Sequence, residues 1–127
     1  MLEPGLQATV EETVTEGMTA TSLGSGDVPV LATPAVLALA EAASVAAVTD
    51  HLEEGTTTVG SSVDFQHVAP TPVGAIVIAT SGLVEVDGRS LRFSFDVTDQ
   101  AGPIARGTHT RVVVDRERFL DSARSRV

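Results

Sequence analysis

Cysteine, tryptophan, tyrosine and lysine are all absent from this sequence of 127 residues. Without cysteine, the protein has no disulfide, no thiol nucleophile and no thiolate metal ligand. The only aromatic residues are four phenylalanines, so the core must be built from Val, Ala, Leu and Ile side chains. Such a core has few large anchors, and we expect burial in an oligomer interface to supplement it.

Acidic residues outnumber basic ones, which leaves a formal net charge of −9 and a sequence pI of about 4.5. This balance disfavours nucleic acid and anionic lipid as partners, because both require a basic surface. The N-terminal segment has no basic region, and no stretch is interpreted as a membrane span, so neither a signal peptide nor a membrane helix is predicted. We therefore expect a cytoplasmic protein without a membrane partner.

The clearest predicted element is a helix over residues 33–52. It opens with Thr33, a favoured N-cap residue, and Pro34, which is favoured at the first helical position. Apolar side chains then surround the helix almost completely, which is typical of a buried helix. Glu41 is the only charged residue between Pro34 and Thr49.

The segments after Gly55 alternate as β-strands, and Asp87-Gly88 is a strong two-residue hairpin signal. Strands of about nine or ten residues match the ~30 Å length of the helix, so an antiparallel sheet can curl around it. This predicts an α+β fold of the hot-dog type, with one long buried helix wrapped by about five antiparallel strands. We expect a single domain over residues 1–127 and a homodimer, because an open sheet edge favours pairing with a second copy. The predicted strands cover residues 6–15, 56–68, 73–86, 89–98 and 104–115, with a loop at 17–31 and a charged tail at 116–127.

Two side chains are candidates for acid–base chemistry, Glu41 and His67. A carboxylate among Ala and Leu is costly to bury unless it is paired. Glu41 therefore lies either on a narrow solvated strip or in a poorly solvated cleft, as a base or nucleophile. His67 shares a strand face with Val59 and Phe65 by two-residue alternation, and this face is expected to lie against the helix. His67 is either a satisfied core histidine or the partner of Glu41, and we expect the two to lie close enough to interact.

Thr33 and Gly60 each have both a structural and a functional interpretation. Thr33 caps the helix or, since a helix N-terminus stabilises an oxyanion, takes part in chemistry there. Gly60 serves a β-bulge or offers its backbone N–H to a substrate carbonyl. His109 and Arg111 share one face of the last strand, where exposed strand polarity is the simpler interpretation. The three histidines have no ligand-like spacing, so no metal and no cofactor is predicted.

The order and spacing of these motifs resemble the hot-dog thioesterases of the fluoroacetyl-CoA thioesterase type. The resemblance covers roughly residues 6–115 and implies that Thr33, Glu41 and His67 form the catalytic group. It also implies that Gly60 binds the thioester carbonyl and that Arg111 binds the substrate. The segments that carry it are TPAVLALAE from Thr33, VGSSVDFQH from Val59, PTPVG from Pro70 and GTHTR from Gly107.

The resemblance further implies a function, the hydrolysis of a small acyl-CoA thioester without a metal or organic cofactor. Residues 17–32 contain no aromatic side chain, whereas the fluoroacetyl-specific enzyme has aromatic residues there, so we expect no strong preference for a fluorinated substrate. One alternative is a hot-dog domain that binds an acyl-CoA or another small apolar ligand without catalysis. A hydratase is less favoured, because Asp64 is the only Asp near His67 and lies on the opposite strand face.

Overall fold

The computed structural model describes all 127 residues and contains one antiparallel sheet with a long helix packed against one face. The strands are β1 (Gln7–Thr13), β2 (Thr56–His67), β3 (Ile76–Asp87), β4 (Ser90–Asp99) and β5 (Gly102–Asp115), and the helices are α1 (Ala20–Leu23), α2 (Thr33–Val48) and α3 (Arg116–Arg124). The strands lie in the order β1-β3-β4-β5-β2. The predicted α+β arrangement of five antiparallel strands around one long helix is confirmed.

Helix α2 begins and ends close to its predicted bounds, but its N-terminus differs in detail. Ala32 occupies the N-cap position, Thr33 is the first helical residue, and no side chain caps this end. The prediction of Thr33 as the capping residue is therefore wrong by one position. At the other end, the Thr49 hydroxyl donates to the Val45 carbonyl at 2.7 Å. A 3₁₀ turn (Thr49–His51) then carries the chain to the predicted end.

Only one face of α2 is covered by the sheet, so the prediction of a helix buried all round is wrong for the single chain. A sheet on one side leaves the opposite side of the helix open, whatever the side chains there are. Together with its 3₁₀ turn, the segment Thr33–His51 has the length and the mean hydropathy, 1.2, of a possible membrane span, contrary to the expectation from sequence. However, 44% of that segment is buried inside the fold, and core helices of soluble proteins meet the same criterion. The uncovered residues, called here the outer strip of α2, are Ala38, Ala42, Val45 and Ala46.

The core lies between α2 and the inward face of the sheet. Strand β4 contributes its alternate residues to this core, as its sequence pattern predicts. A hydroxyl pair fastens the helix to β3, because Ser44 and Ser81 are fully buried with their Oγ atoms 2.7 Å apart. Ser44 also donates to the Ala40 carbonyl at 2.9 Å. The inward residues of β4 are Leu91, Phe93, Phe95 and Val97.

A β-bulge interrupts the pairing of β2 with β5. The register shifts between Gly60 and Ser62, which adds one residue to β2 and reverses its alternation at that point. Thr58 and Gly60 therefore face the helix before the bulge, while Phe65 and His67 face it afterwards. The prediction that Val59 shares a face with His67 is wrong, because two-residue alternation was carried through the bulge.

The two edges of the sheet are β1 and β2. Strand β2 is 12 residues long and pairs only with β5, so its outer backbone groups have no partner strand in the chain. The predicted loop over residues 17–31 contains α1 and is tied down by isolated bridges from Thr19 to Leu31 and from Val30 to Pro72. The charged tail forms α3, a helix of nine residues.

Candidate active site

A threonine–histidine pair lies where the N-terminus of α2 meets the end of β2. Thr33 is the first residue of the helix, and His67 is the last residue of the strand. The Thr33 Oγ1 atom lies 2.8 Å from His67 Nδ1, which is a hydrogen-bond distance. His67 Nε2 is buried and has no hydrogen-bond partner in the chain. The Thr33 hydroxyl is thus directed at the imidazole instead of the helix backbone, and one ring nitrogen is left for another group.

Glu41 lies two turns further along α2 and is paired with an arginine. Arg111 donates from Nη1 to Glu41 Oε2 at 3.1 Å. The Glu41 side chain is 39% exposed, whereas the Arg111 side chain is only 8% exposed. Glu41 is therefore neither a fully solvated residue nor an uncompensated buried charge. The partner that its position in an apolar helix requires is Arg111, a residue 70 positions away in the sequence.

The Arg111 guanidinium is held in place by its hydrogen bonds to Thr58 of β2. Its Nε donates to Thr58 Oγ1 at 2.9 Å, and its Nη2 donates to the Thr58 carbonyl at 3.1 Å. With Nη1 turned to Glu41, all three guanidinium nitrogens have partners within the chain. The expectation that Arg111 is an ordinary exposed strand residue is therefore wrong, and its planar fork is used to hold a carboxylate.

His109 also belongs to this cluster, and the sequence did not identify it as a site residue. It is 3% exposed, with Nδ1 at 2.8 Å from the Ser62 carbonyl oxygen and Nε2 at 3.2 Å from Arg111 Nη1. His109 Nε2 lies 3.9 Å from Glu41 Oε2. His109 is therefore not an exposed strand residue, which was its simpler interpretation from the sequence. The signal for His109 was its spacing. Residues two apart on a strand lie on the same face, so His109 lies on the same face as Arg111.

Gly60 stands beside the Glu41 carboxylate. An ideal Cβ at this position would lie 2.7 Å from Glu41 Oε2, 3.3 Å from His109 Cε1 and 3.4 Å from Arg111 Nη1. Because Gly60 has no side chain, the Glu41 carboxylate can occupy the space that a Cβ would fill. A cavity of about 200 Å³ opens here and is lined by Leu37, Glu41, Gly60, Ser61, Ser62, Val63 and His109.

The predicted site residues thus form two groups in the chain. Thr33 and His67 form one group, and Glu41, Gly60 and Arg111 form the other, with His109 added. Thr33 and Glu41 are eight residues apart on α2, which corresponds to about 12 Å of helix rise. No hydrogen bond joins Glu41 to His67 within the chain, and no group of three or more His, Asp or Glu side chains is arranged to hold a metal ion.

Comparison with known proteins places these residues in a family. Residues 14–117 match the family model described as FlK, fluoroacetyl-CoA-specific thioesterase. The chain belongs to this family. A fluoroacetyl-CoA thioesterase from Streptantibioticus cattleyicolor is 35% identical over 97 residues, which cover 76% of this chain and 70% of that protein.

Solved structures agree with this membership of the FlK family. A crystal structure of the fluoroacetyl-CoA thioesterase FlK superposes with a TM-score of 0.95 at 29% identity and covers 100% of this chain and 98% of FlK. A thioesterase superfamily member from Thermus thermophilus gives a TM-score of 0.90 at 25% identity, covering 98% and 93% of the two chains. A hot-dog-like protein from Thermanaerovibrio acidaminovorans shares the fold with a TM-score of 0.89 at 24% identity, over 98% of this chain and 93% of that one. The predictions of a hot-dog fold and of an acyl-CoA thioester hydrolase are confirmed.

Proposed function

We propose that this thioesterase hydrolyses a small acyl-CoA with Thr33, Glu41 and His67 as its catalytic group. The observation that carries the proposal is the 2.8 Å hydrogen bond between Thr33 Oγ1 and His67 Nδ1 at a helix N-terminus. A hydroxyl bonded to an imidazole can orient the ring or itself become an oxygen nucleophile, so we assign Thr33 as the orienter of His67 or as an alternative nucleophile. The unpartnered Nε2 atom of His67 is available to exchange a proton with the reacting group.

The other cluster supplies the carboxylate and the carbonyl contact. We assign the Gly60 N–H to the thioester carbonyl, whose oxygen gains charge as the tetrahedral intermediate forms. Glu41 either attacks the carbonyl carbon or removes a proton from an attacking water. The C–S bond then breaks, and the CoA sulfur takes a proton from a protonated His67. In the general-base route the acyl group leaves directly as a carboxylic acid, and the proton that Glu41 took from water returns to His67. In the covalent route, water hydrolyses the acyl–Glu41 anhydride in a second step.

Arg111 receives a different role from the one that the resemblance implied. Its guanidinium nitrogens are turned towards Thr58, Glu41 and His109. We therefore assign Arg111 to holding the Glu41 carboxylate and not to direct contact with the CoA. The acyl-CoA itself occupies the cavity beside Glu41 and Gly60 in this proposal.

We further propose that the two groups of residues meet across a homodimer. Strand β2 is an unpaired edge, and the outer strip of α2 beside it is apolar and exposed. Symmetric antiparallel pairing of β2 with the partner's β2 gives this edge a partner strand and brings the two outer strips of α2 into one interface. We assign the two-fold axis to a position near Val63 and Asp64. Gly60 then lies opposite the partner subunit's His67, so each site combines Glu41 and Gly60 of one chain with the other chain's Thr33 and His67.

The decisive variant for the chemistry is Glu41→Gln, which keeps the shape of the side chain and removes its charge. Hydrolysis of short and medium acyl-CoA thioesters, followed by detection of the free thiol, should fall by a factor of ~100 or more. Glu53→Gln, at an exposed site beyond the end of α2, is the matched control and should keep the parental rate. A folded, dimeric Glu41→Gln protein with parental turnover would remove Glu41 from the catalytic group.

Mixed dimers test whether the site is shared. Glu41→Gln and His67→Ala are each expected to be inactive alone. When unfolded together and refolded, a shared site regenerates one intact centre in each mixed dimer, or about a quarter of parental activity after random assortment. A site contained within one chain gives no recovery, and a monomer in light scattering at micromolar concentration removes the interfacial site. Localisation in the cytoplasm and the lack of nucleic-acid, membrane and cofactor partners stay predictions from the sequence.

A further inference from the structure

His109 is a buried imidazole whose two nitrogens face groups of opposite hydrogen-bonding character. Nδ1 lies 2.8 Å from the Ser62 carbonyl oxygen, which can only accept a hydrogen bond. Nε2 lies 3.2 Å from Arg111 Nη1, which can only donate one. Both contacts are satisfied together in one protonation state alone, with a hydrogen on Nδ1 and a lone pair on Nε2.

We propose that His109 is held as a neutral Nδ1–H imidazole and positions Glu41 through Arg111, an inference that rests on the proposed catalytic role of Glu41. Three hydrogen bonds, called here the His109 relay, link the bulge to the carboxylate, and Arg111 donates two of them. Ser62 accepts from His109, His109 accepts from Arg111, and Arg111 donates to Glu41. His109 is a positioning residue, and it neither attacks the substrate nor exchanges a proton with it.

An ion pair between His109 and Glu41 is the competing arrangement, and the geometry opposes it. The two groups are 3.9 Å apart, which is longer than a hydrogen bond. A proton on Nε2 would point towards Arg111 Nη1, which is 3.2 Å away and already carries hydrogens. The remaining neighbour across the sheet is the Phe93 ring, 6.3 Å between ring centroids, which provides no charge to stabilise an imidazolium.

The relay also joins the two proposed binding functions of the site. His109 Nδ1 is bonded to the Ser62 carbonyl at 2.8 Å, so the ring holds the bulge that presents the Gly60 N–H. The same ring fixes the Arg111 nitrogen that holds Glu41. The carbonyl-binding N–H and the carboxylate therefore keep a constant separation as long as His109 keeps its tautomer.

The protonation state can be measured without any activity assay. In protein labelled with ¹⁵N at its histidines, long-range ¹H–¹⁵N correlation spectra distinguish the Nδ1–H form, the Nε2–H form and the imidazolium. The signals of His109 are identified by their loss in His109→Gln. We expect the neutral Nδ1–H form at pH 7, and either of the other two forms would overturn the proposal.

Two substitutions separate the two hydrogen bonds of the ring. In His109→Asn, the amide N–H still reaches the Ser62 carbonyl. No acceptor then stands at the position of Nε2, so Arg111 loses this one hydrogen bond. In His109→Gln, the amide oxygen reaches the position of Nε2 and still accepts from Arg111. We expect kcat to fall about tenfold or more in the Asn variant with KM changed less than about twofold, and most of kcat to return in the Gln variant.

The control is His51→Asn, at an exposed histidine beyond α2, which should keep parental kcat. Parental kcat in His109→Asn, or a Gln variant as slow as the Asn variant, would overturn the relay while leaving the role of Glu41 intact. Parental activity in Glu41→Gln would instead remove the proposed function. The tautomer measurement on the unmutated protein decides the state of His109 even if a variant fails to fold.

Discussion

Replacement of Gly60 by alanine tests whether the empty space beside Glu41 is required for turnover. The added Cβ would lie 2.7 Å from Glu41 Oε2, so the carboxylate must retreat by about 0.7 Å to reach ordinary van der Waals contact. The clashing atom is the far end of a flexible side chain, which can move without disturbing the backbone. Alanine keeps the backbone N–H, so the proposed carbonyl contact survives, and the carboxylate is displaced much more than the His109 ring, whose Cε1 would lie 3.3 Å from the new Cβ.

The expected consequences for stability and activity differ. Glu41 is 39% exposed, so weakening its ion pair with Arg111 costs no more than about 1 kcal/mol. Reduced entropy of the unfolded chain stabilises a Gly→Ala variant by about 0.4–1 kcal/mol where φ is negative, as it is at Gly60. The free energy of unfolding should therefore hardly change. A catalytic group displaced by nearly 1 Å should lower kcat by about 10- to 100-fold.

The assay combines thermal unfolding with thiol release from acetyl-CoA. Gly82→Ala is the matched control, because Gly82 lies in β3 and a Cβ there would meet its nearest atom at 3.7 Å, an ordinary contact. It should keep the parental rate, with a melting temperature equal to or slightly above the parental one. A Gly60→Ala protein that hydrolyses acetyl-CoA at the parental kcat would refute the assignment of Glu41 as the reacting or activating carboxylate.

Three further predictions concern the hydroxyls and the acyl group. Thr33→Ser should keep most turnover, because the hydroxyl still reaches His67. Thr33→Ala should lose turnover with little change in melting temperature, since no side chain caps α2. Stopped assays measure the turnover, and thermal melts measure the melting temperature. Ser44→Ala should destabilise the protein by about 1–3 kcal/mol in denaturant unfolding, because it leaves the buried Ser81 hydroxyl without a partner. Ser81→Ala should cost less, because Ser44 stays bonded to Ala40, and equal losses would contradict this. Relative kcat/KM should show no strong preference for fluoroacetyl-CoA over acetyl-CoA, because residues 17–32 carry no aromatic side chain, and a large preference would show that aromatic residues are not required there.

Local patterns in the sequence were sufficient to predict the elements of the fold. The uninterrupted apolar run after Pro34 predicted α2, and the hairpin at Asp87-Gly88 together with the alternation in β4 predicted the sheet. These signals are local, because helix and strand periodicity depend on neighbours within a few residues. The order of the motifs, through the family that it resembles, also predicted Thr33, Glu41 and His67 as the catalytic group.

Tertiary structure decided how the site residues are partnered. Gly60 had suggested a bulge, but only the structure showed that a bulge between Gly60 and Ser62 reverses the alternation of β2. It placed Thr58 beneath Arg111 and turned a residue expected at the surface into a buried support for Glu41. The sheet covers only one face of α2, so the outer strip of α2 is left uncovered, although the helix is apolar on almost every side. Contacts between residues 70 positions apart depend on strand register and on which face of a helix the sheet covers, and neither is encoded in a short segment of sequence.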